Sequence, residues 1–408
     1  MATGVTRGRQ AGLGYLLAVL VGCASPVPSA SPPFSPSSPA AQPSTAESVR
    51  AGAAWVDVDI GEFDVRVRGM AEGAGRVVML GTPRQSTSPW IASTVDGDHW
   101  VVADRPDTVE ALTGAISVIA YGPRGFVARG SGRDSTTSAL VPFFLHSADG
   151  VTWTVVDHPP VCAGPAQIQV GVWGYVGLAD TCRSDHDDLD PRPIYVFVSA
   201  DGMEWTTRTN FVEFGDEFRT PYLAATDGQR IVALQGTHGF ETSEWLWLSD
   251  DGGASWRTLE HAIDASVSFS SITFGHGQWI ARASQLRSDG GQPDRLRCRS
   301  VDGESWLCRV TGVAVPPYLA VTPSGFVGVF YRVIQAATGE YLGEETVLTT
   351  SVDGNEWHET IVSGLEDRTY DGIAATALGV FAWGATDPDQ DPTGRAQPFL
   401  ILHRDPLP

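Results

Sequence analysis

One short phrase recurs six times along the chain and constrains its fold more than any other feature. It appears as "STVDGDHW" ending at Trp100, "HSADGVTW" at Trp153, "VSADGMEW" at Trp205, "LSDDGGASW" at Trp256, "RSVDGESW" at Trp306 and "SVDGNEW" at Trp357. The shared pattern reads Ser-x-Asp-Gly-x-x-Trp, with one extra residue in the copy ending at Trp256. The six aspartates, Asp96, Asp149, Asp201, Asp251, Asp302 and Asp353, are separated by 53, 52, 50, 51 and 51 residues. A fixed period of this length marks a repeat architecture, whose units bury a core only by stacking on one another.

Each unit has the same internal order. Between Pro165 and Arg208, "AQIQVGVW", "GYVGLAD", "IYVFVSADG" and "MEWTTR" read as four consecutive strands. Pairs of inner strands recur as "AISVIAYGPRGFVARG", "YLAATDGQRIVALQG", "SSITFGHGQWIARAS" and "YLAVTPSGFVGVFY". With 45 glycines, 27 prolines and only 18% charged residues, the composition favours short strands and tight turns over helices. Four antiparallel strands in about fifty residues is the size of a propeller blade.

Six motifs count six blades, but the two ends supply a seventh. Near the C-terminus "YDGIAATALGVFAWG" gives a first and second strand and "AQPFLILHRD" a third, and no fourth follows. At the other end "AGAAWVDVDI" reads as an orphan fourth strand, with Trp55 in the motif-tryptophan position. The expected fold is therefore all-β: a seven-bladed β-propeller of four-stranded antiparallel blades, spanning residues 51–408, with the N-terminal strand joining the C-terminal blade. Such closure removes the sheet edges that invite aggregation. The seven equivalent tryptophans are Trp55, Trp100, Trp153, Trp205, Trp256, Trp306 and Trp357.

The motif has a physical reading. Asp-Gly belongs in the tight turn between third and fourth strands, where Gly supplies the backbone angles. The Asp carboxylate accepts hydrogen bonds from turn amides, and the Ser hydroxyl bonds locally. The Trp points into the core between neighbouring blades, worth roughly 3 kcal/mol or more per site. On these residues the chain resembles the Asp-box (BNR) repeat propellers. "SDDGGASW", from Ser249 to Trp256, matches the family form Ser-x-Asp-x-Gly-x-x-Trp, and the other copies are one residue shorter. The resemblance covers residues 51–408 and implies a fold shared by sialidases, other glycoside hydrolases, sorting receptors and photosystem assembly factors. It specifies fold far better than function.

The first fifty residues stand outside this fold. Arg7 and Arg9 precede the apolar run "AGLGYLLAVLVG", the layout of a secretory signal too short to span a bilayer. Leu20-Val21-Gly22-Cys23 resembles a bacterial lipobox, which implies cleavage after residue 22 and lipidation of the Cys23 thiol. The expected location is extracytoplasmic, anchored to the bacterial cell membrane through lipid. Residues 23–50, nearly all Ser, Pro and Ala, read as a tether that cannot bury apolar surface. Removing residues 1–22 takes the net charge from −21 to −23 with the loss of Arg7 and Arg9. A surface so acidic repels nucleic acid and anionic headgroups. A monomer is expected.

Four cysteines remain, and an even number outside the membrane suggests two disulfides. If third and fourth strands turn at one face, the two-to-three and four-to-one links lie at the other. Cys162 follows a fourth strand and Cys182 a second strand, on that other face. Cys298 and Cys308 flank the turn "RSVDGESWL" on adjacent strands. The pairing expected is Cys162 with Cys182 and Cys298 with Cys308.

Chemistry is harder to find. The two-to-three links "TCRSDHDDLDPRP", "SQLRSDGGQPDRLR", "RVIQAATGEYLGEE" and "TDPDQDPTGRAQP" are long and share one face, as on a scaffold that presents a binding surface. The sialidases that the chain resembles need three arginines on the substrate carboxylate, a Tyr–Glu nucleophile pair and an acid Asp. Here Arg66 and Arg68 alternate with valines on the first strand of blade 1, and the first strands of blades 2 to 7 read as lacking arginine. Tyr331 adjoins Arg332, while Arg219 and Arg368 read as loop residues, and nothing marks a triad. Asp185, Asp187, Asp188 and Asp190 form the densest acidic cluster, a weak Ca²⁺ candidate without EF-hand spacing, and a solvated loop reads better. No other cofactor is indicated. The expectation is a non-catalytic module binding a protein or glycan at the long-loop face. The alternatives are a glycoside hydrolase using loop carboxylates and an assembly factor for envelope complexes.

Overall fold

The computed structural model describes the chain from Trp55 onward, apart from residues 60–64, 85–87, 105, 107–111, 135–139, 158–166, 180–194, 210–218, 238–244, 260–266, 289–290, 292, 312–315, 337–340, 366–367, 387–395, 406 and 408. The signal, the lipobox Cys23, the tether, Cys162, Cys182 and the acidic run from Asp185 to Asp190 lie outside the described residues.

Seven four-stranded antiparallel sheets form, six of them from consecutive strands. The seventh is composite. Arg368–Thr376, Gly379–Thr386 and Pro398–His403 come from the C-terminus, and Val56–Asp57 is added outside them. Val56 pairs with Leu402 and Asp57 with Ile401, and the Val58 amide donates to the Leu400 carbonyl at 2.9 Å. The innermost strand of each blade touches that of the next, and the ring returns from blade 7 to blade 1. The fold is a closed seven-bladed β-propeller, as the spacing of the motif predicts.

The apolar core lies between blades, because each sheet has two faces and a neighbour on either side. Val78, Leu80 and Ile91 of blade 1 pack on Phe126, Phe143 and Trp153 of blade 2, and comparable clusters fill the other joints. Each motif tryptophan enters the joint with the blade before its own. Trp153 lies between blades 1 and 2, Trp205 between 2 and 3, and Trp357 between 5 and 6. Trp100 fills the joint between blades 7 and 1, and Trp55 the joint between 6 and 7, its ring centroid 5.3 Å from that of His403.

The turns behave as the motif requires. Asp149 Oδ1 accepts the amides of Val151 and Thr152, both at 2.9 Å, and the Ser147 hydroxyl donates to the same oxygen at 3.0 Å. The Ser147 oxygen in turn accepts the Gly150 amide at 2.8 Å. In the longer fourth copy Gly253 takes over that donation to Ser249. Two departures follow from side-chain identity. Thr94 holds the serine role in the first turn, bonding Asp96 and the Gly97 amide, so that copy does not follow the serine pattern. In the sixth turn the Ser351 hydroxyl is buried without a partner.

The strand boundaries correct several sequence expectations. The expected link "RVIQAATGEYLGEE" is mostly strand, since Gly325–Gln335 and Tyr341–Ser351 pair from Arg332–Glu345 outward, and "SQLRSDGGQPDRLR" gives up Asp294 to Arg297 to a strand. Arg219 and Arg368 are not loop residues: they open the first strands Arg219–Thr226 and Arg368–Thr376 of blades 4 and 7. Pairing of Arg219 with Thr237 and of Arg368 with Thr386 extends these ladders further than the apolar alternation indicates.

Candidate functional site

The innermost strands line the propeller axis, and five of them share a feature that no motif announces. Each carries a β-bulge: at Arg68 in Val65–Gly73, Ser117 in Leu112–Gly122, Tyr222 in Arg219–Thr226, Ser270 in Val267–Gly275 and Asp371 in Arg368–Thr376. An extra residue in one strand breaks the pleat and turns a side chain away from the direction alternation would give it. Arg68, Ser117 and Ser270 are exposed. The two remaining innermost strands, Gln167–Gly171 and Ala320–Thr322, are shorter and show no bulge.

The bulge sets the geometry of the seam between blades 1 and 7. Arg66 Nε and Nη2 both lie 3.1 Å from Asp371 Oδ2. Glu72 of the same strand accepts the Ala377 amide at 2.9 Å. Arg368 bonds Asp57 at 3.0 Å and stacks over Phe399, 4.8 Å from the ring centroid. It therefore fastens the added N-terminal strand to the blade that receives it. Arg332, on the second strand of blade 6, donates to Glu345 and, at 2.7 Å, to Glu359. Of the arginines that could grip a substrate carboxylate, Arg66, Arg332 and Arg368 are thus held by the protein's own acids. Arg68 is exposed at its bulge, and the side chain of Arg219 is outside the described set. Among the described side chains, Arg66, Arg332 and Arg368 pair with different acids and form no triad.

Two further arginines stand where apolar residues are the rule. The second-strand residue paired just after the bulge is Leu80, Leu234 or Trp383 in blades 1, 4 and 7. In blades 2 and 5 the same place holds Arg129 and Arg282. Burial pushes the Arg129 guanidinium down from its usual pKa, and its Nε is buried with no hydrogen-bond partner. The signal existed in the sequence as an arginine inside an apolar strand ("FVARG", "WIARA"), but only the register shows that the two positions are equivalent.

The turn aspartates are structural. The amide of Ser305, with that of Glu304 and the Ser300 hydroxyl, holds the Asp302 carboxyl at about 2. The Thr152 amide depresses Asp149, the Glu204 amide Asp201, the His99 amide Asp96 and the Asn355 amide Asp353. These carboxylates stay ionised to bind their own turns. Among the described residues no group of three or more His, Cys, Asp or Glu is placed to hold a metal ion. Of the expected disulfides, Cys298–Cys308 is formed, with its Cα atoms 4.0 Å apart.

No family model matches the chain, and no curated protein matches it. Solved structures do share its shape. YCF48 bound to a D1 peptide superposes with a TM-score of 0.51 at 14% identity, covering 89% of this chain and 100% of that one. The polysaccharide lyase Uly1 gives 0.50 at 10% identity, covering 83% and 90%. At such identities the likeness is one of fold.

Proposed function

We propose that this chain is a lipid-anchored, extracytoplasmic propeller of the Asp-box type that binds a protein or glycan without transforming it. Cys23 carries the lipid, residues 23–50 form the tether, and the long two-to-three links make the recognition face. The observation that supports the binding reading is that three arginines able to grip a substrate carboxylate are committed to acids of the protein itself, Arg66 between two innermost strands and Arg332 and Arg368 across their own blades. Arg66 is spent on Asp371, Arg368 on Asp57, and Arg332 on Glu345 and Glu359. A glycosidase needs a carboxyl raised toward neutral pH as its acid. Among the described carboxyls that depart from their usual range, Asp96, Asp149, Asp201, Asp227, Asp251, Asp302 and Asp353, each departs downward. A propeller of this shape bound to a peptide lends the protein-ligand version support.

The test is a screen of the purified full chain against chromogenic glycosides and acidic polysaccharides, alongside pulldown from solubilised membranes. Capture of a partner without turnover is the expected result. Turnover that one carboxylate-to-amide change abolishes would replace the binding reading with the hydrolase one. The anchor is tested separately by Cys23→Ala, which should release the protein from the membrane fraction.

A further inference from the structure

Blade 5 runs against the charge of the rest of the molecule. In a chain with 48 acidic and 27 basic residues, its third strand, Asp294–Ser300, carries Arg295, Arg297 and Arg299 at alternate positions and so on one face. The register puts Arg297 opposite Arg282 of the second strand and opposite Arg309 of the fourth. Three arginines therefore form a row across three strands, an arrangement of like charges that destabilises a sheet.

Blade 6, which this face meets, offsets the row only in part: Asp353 attracts Arg297 and Arg299 without forming an ion pair with either. Arg297 lies over the Trp357 ring, 5.5 Å from its centroid, and donates to the Asn355 carbonyl and the Thr311 hydroxyl. Glu345 and Glu359 are held by Arg332, and Asp353 by the amides of Asn355 and Glu356. Among the described residues, Arg282, Arg295, Arg297, Arg299 and Arg309 form no ion pair. Burial lowers the pKa of Arg282 and Arg297, with Arg295 and Arg309 respectively adding repulsion.

The row ends on an open strand edge. The fourth strand, Leu307–Val310, is the outermost of its sheet, and Leu307, Arg309 and Val310 are exposed. The Thr311 amide donates to the Arg295 carbonyl at 3.1 Å. Bonds in an antiparallel ladder alternate, so Cys308 and Val310 turn their own N–H and C=O groups outward. The Cys298–Cys308 bridge clamps this strand to its neighbour. A single edge charge is an ordinary guard against aggregation. Arg309 alone would serve that purpose, whereas the row continues inward to Arg282.

We propose that this edge accepts an extended acidic polypeptide as a fifth strand, with a carboxylate opposite Arg309 completing the row of arginines. Main-chain bonds to Cys308 and Val310 would supply affinity, and one acid of the extended peptide would stand opposite Arg309, the member of the row that lies on the edge strand. The docking edge is the strand Leu307–Val310 and not the link between Gln285 and Asp294, so Val310→Pro tests it without altering a long link.

The experiment measures fluorescence anisotropy of a labelled peptide of about ten residues alternating Glu with Val or Thr, at low salt. The intact protein should bind it, and the same peptide with Lys for Glu should not. Arg309→Glu should weaken binding about tenfold or more. Val310→Pro should weaken it about tenfold too, because it removes an outward N–H and leaves the bonds to the third strand intact. Thermal unfolding checks that both variants fold, and Arg295→Glu serves if Val310→Pro does not. No binding by the intact protein would overturn the proposal. So would binding that survives Val310→Pro while Arg309→Glu abolishes it, or equal affinity for polygalacturonate, since either would mean a side-chain anion site without strand addition.

Discussion

A Cβ placed on Gly150 would lie 2.6 Å from Cγ2 of Val78 in the preceding blade. The turn glycine is required twice, by its φ of 74° and by that contact. Gly202 meets Val127 and Gly354 meets Ile280 in the same way. Each Asp-Gly turn is therefore docked on its neighbour. Gly150→Ala should cost about 2–4 kcal/mol, from a strained φ and an overpacked joint. Gly75→Ala shares the positive φ, 73°, but meets nothing within 4 Å, and should cost only about 1 kcal/mol. Equilibrium denaturation of the two variants separates the contributions.

Acid should loosen the turns. Asp302 titrates at about 2 in the folded protein against an ordinary 3.8, and Asp149, Asp201 and Asp353 are lowered as well. A depressed carboxyl stabilises the fold at pH values above its unfolded pKa, and that stabilisation is lost as pH falls through the folded value. The unfolding midpoint should thus be flat from neutral pH to about 5 and fall between about 4 and 2. Asp302→Asn should lower the plateau and flatten part of that decline, read by denaturation across pH.

Motif tryptophans should be expensive to remove. Trp205 is buried against Phe144 and Tyr175, with its indole N–H donating to the Gly202 carbonyl at 3.0 Å. Trp205→Ala should cost about 3–5 kcal/mol. Trp55→Ala, at a half-buried site on the seam, should cost less but expose the edge of Pro398–His403 and promote association. Calorimetry and light scattering tell the two outcomes apart.

The buried arginines make a prediction of opposite sign. Arg129 occupies a place that Leu80 and Leu234 fill elsewhere, and its Nε has no partner. Replacing an uncompensated buried charge with a packed apolar side chain commonly stabilises. Arg129→Leu should raise stability by about 1–2 kcal/mol, measured by denaturant midpoint.

Reduction should act locally. The Cys298–Cys308 bridge closes a loop with a sequence separation of 10, worth about 3 kcal/mol on the chain-entropy account. Replacing both cysteines by alanine should lower the unfolding temperature and raise hydrogen exchange first at Leu307 and Arg309, whose amides face the third strand that the bridge holds.

The architecture was legible because its causes are local and repeated. An Asp-Gly turn and a Trp three positions on define one blade edge, and Trp55 with no partner motif after residue 357 reveals the shared seventh blade. The bulges were not legible. Arg68, Ser117, Tyr222, Ser270 and Asp371 are all polar but share no one residue type or size, and other polar residues on these strands pair regularly, since a bulge is a property of pairing between strands. Arg368 was misread as a loop residue for a related reason: its place in a strand depends on Thr386 opposite, many residues away. The arginine row of blade 5 was not legible: Arg295 and Arg297 read as part of a link, and only the strand Asp294–Ser300, with Arg282 and Arg309 in register, sets them in a row.

Each blade lends its tryptophan backward, into the joint with the blade before it. The molecule is thus a cycle recorded as a line, and among the described residues its sheet is closed by Val56–Asp57 laid beside Pro398–His403. A circular permutant that splices that link and cuts another would keep all seven joints while relocating the weakest one, and would show how much of the ring's resistance to unzipping resides in two residues.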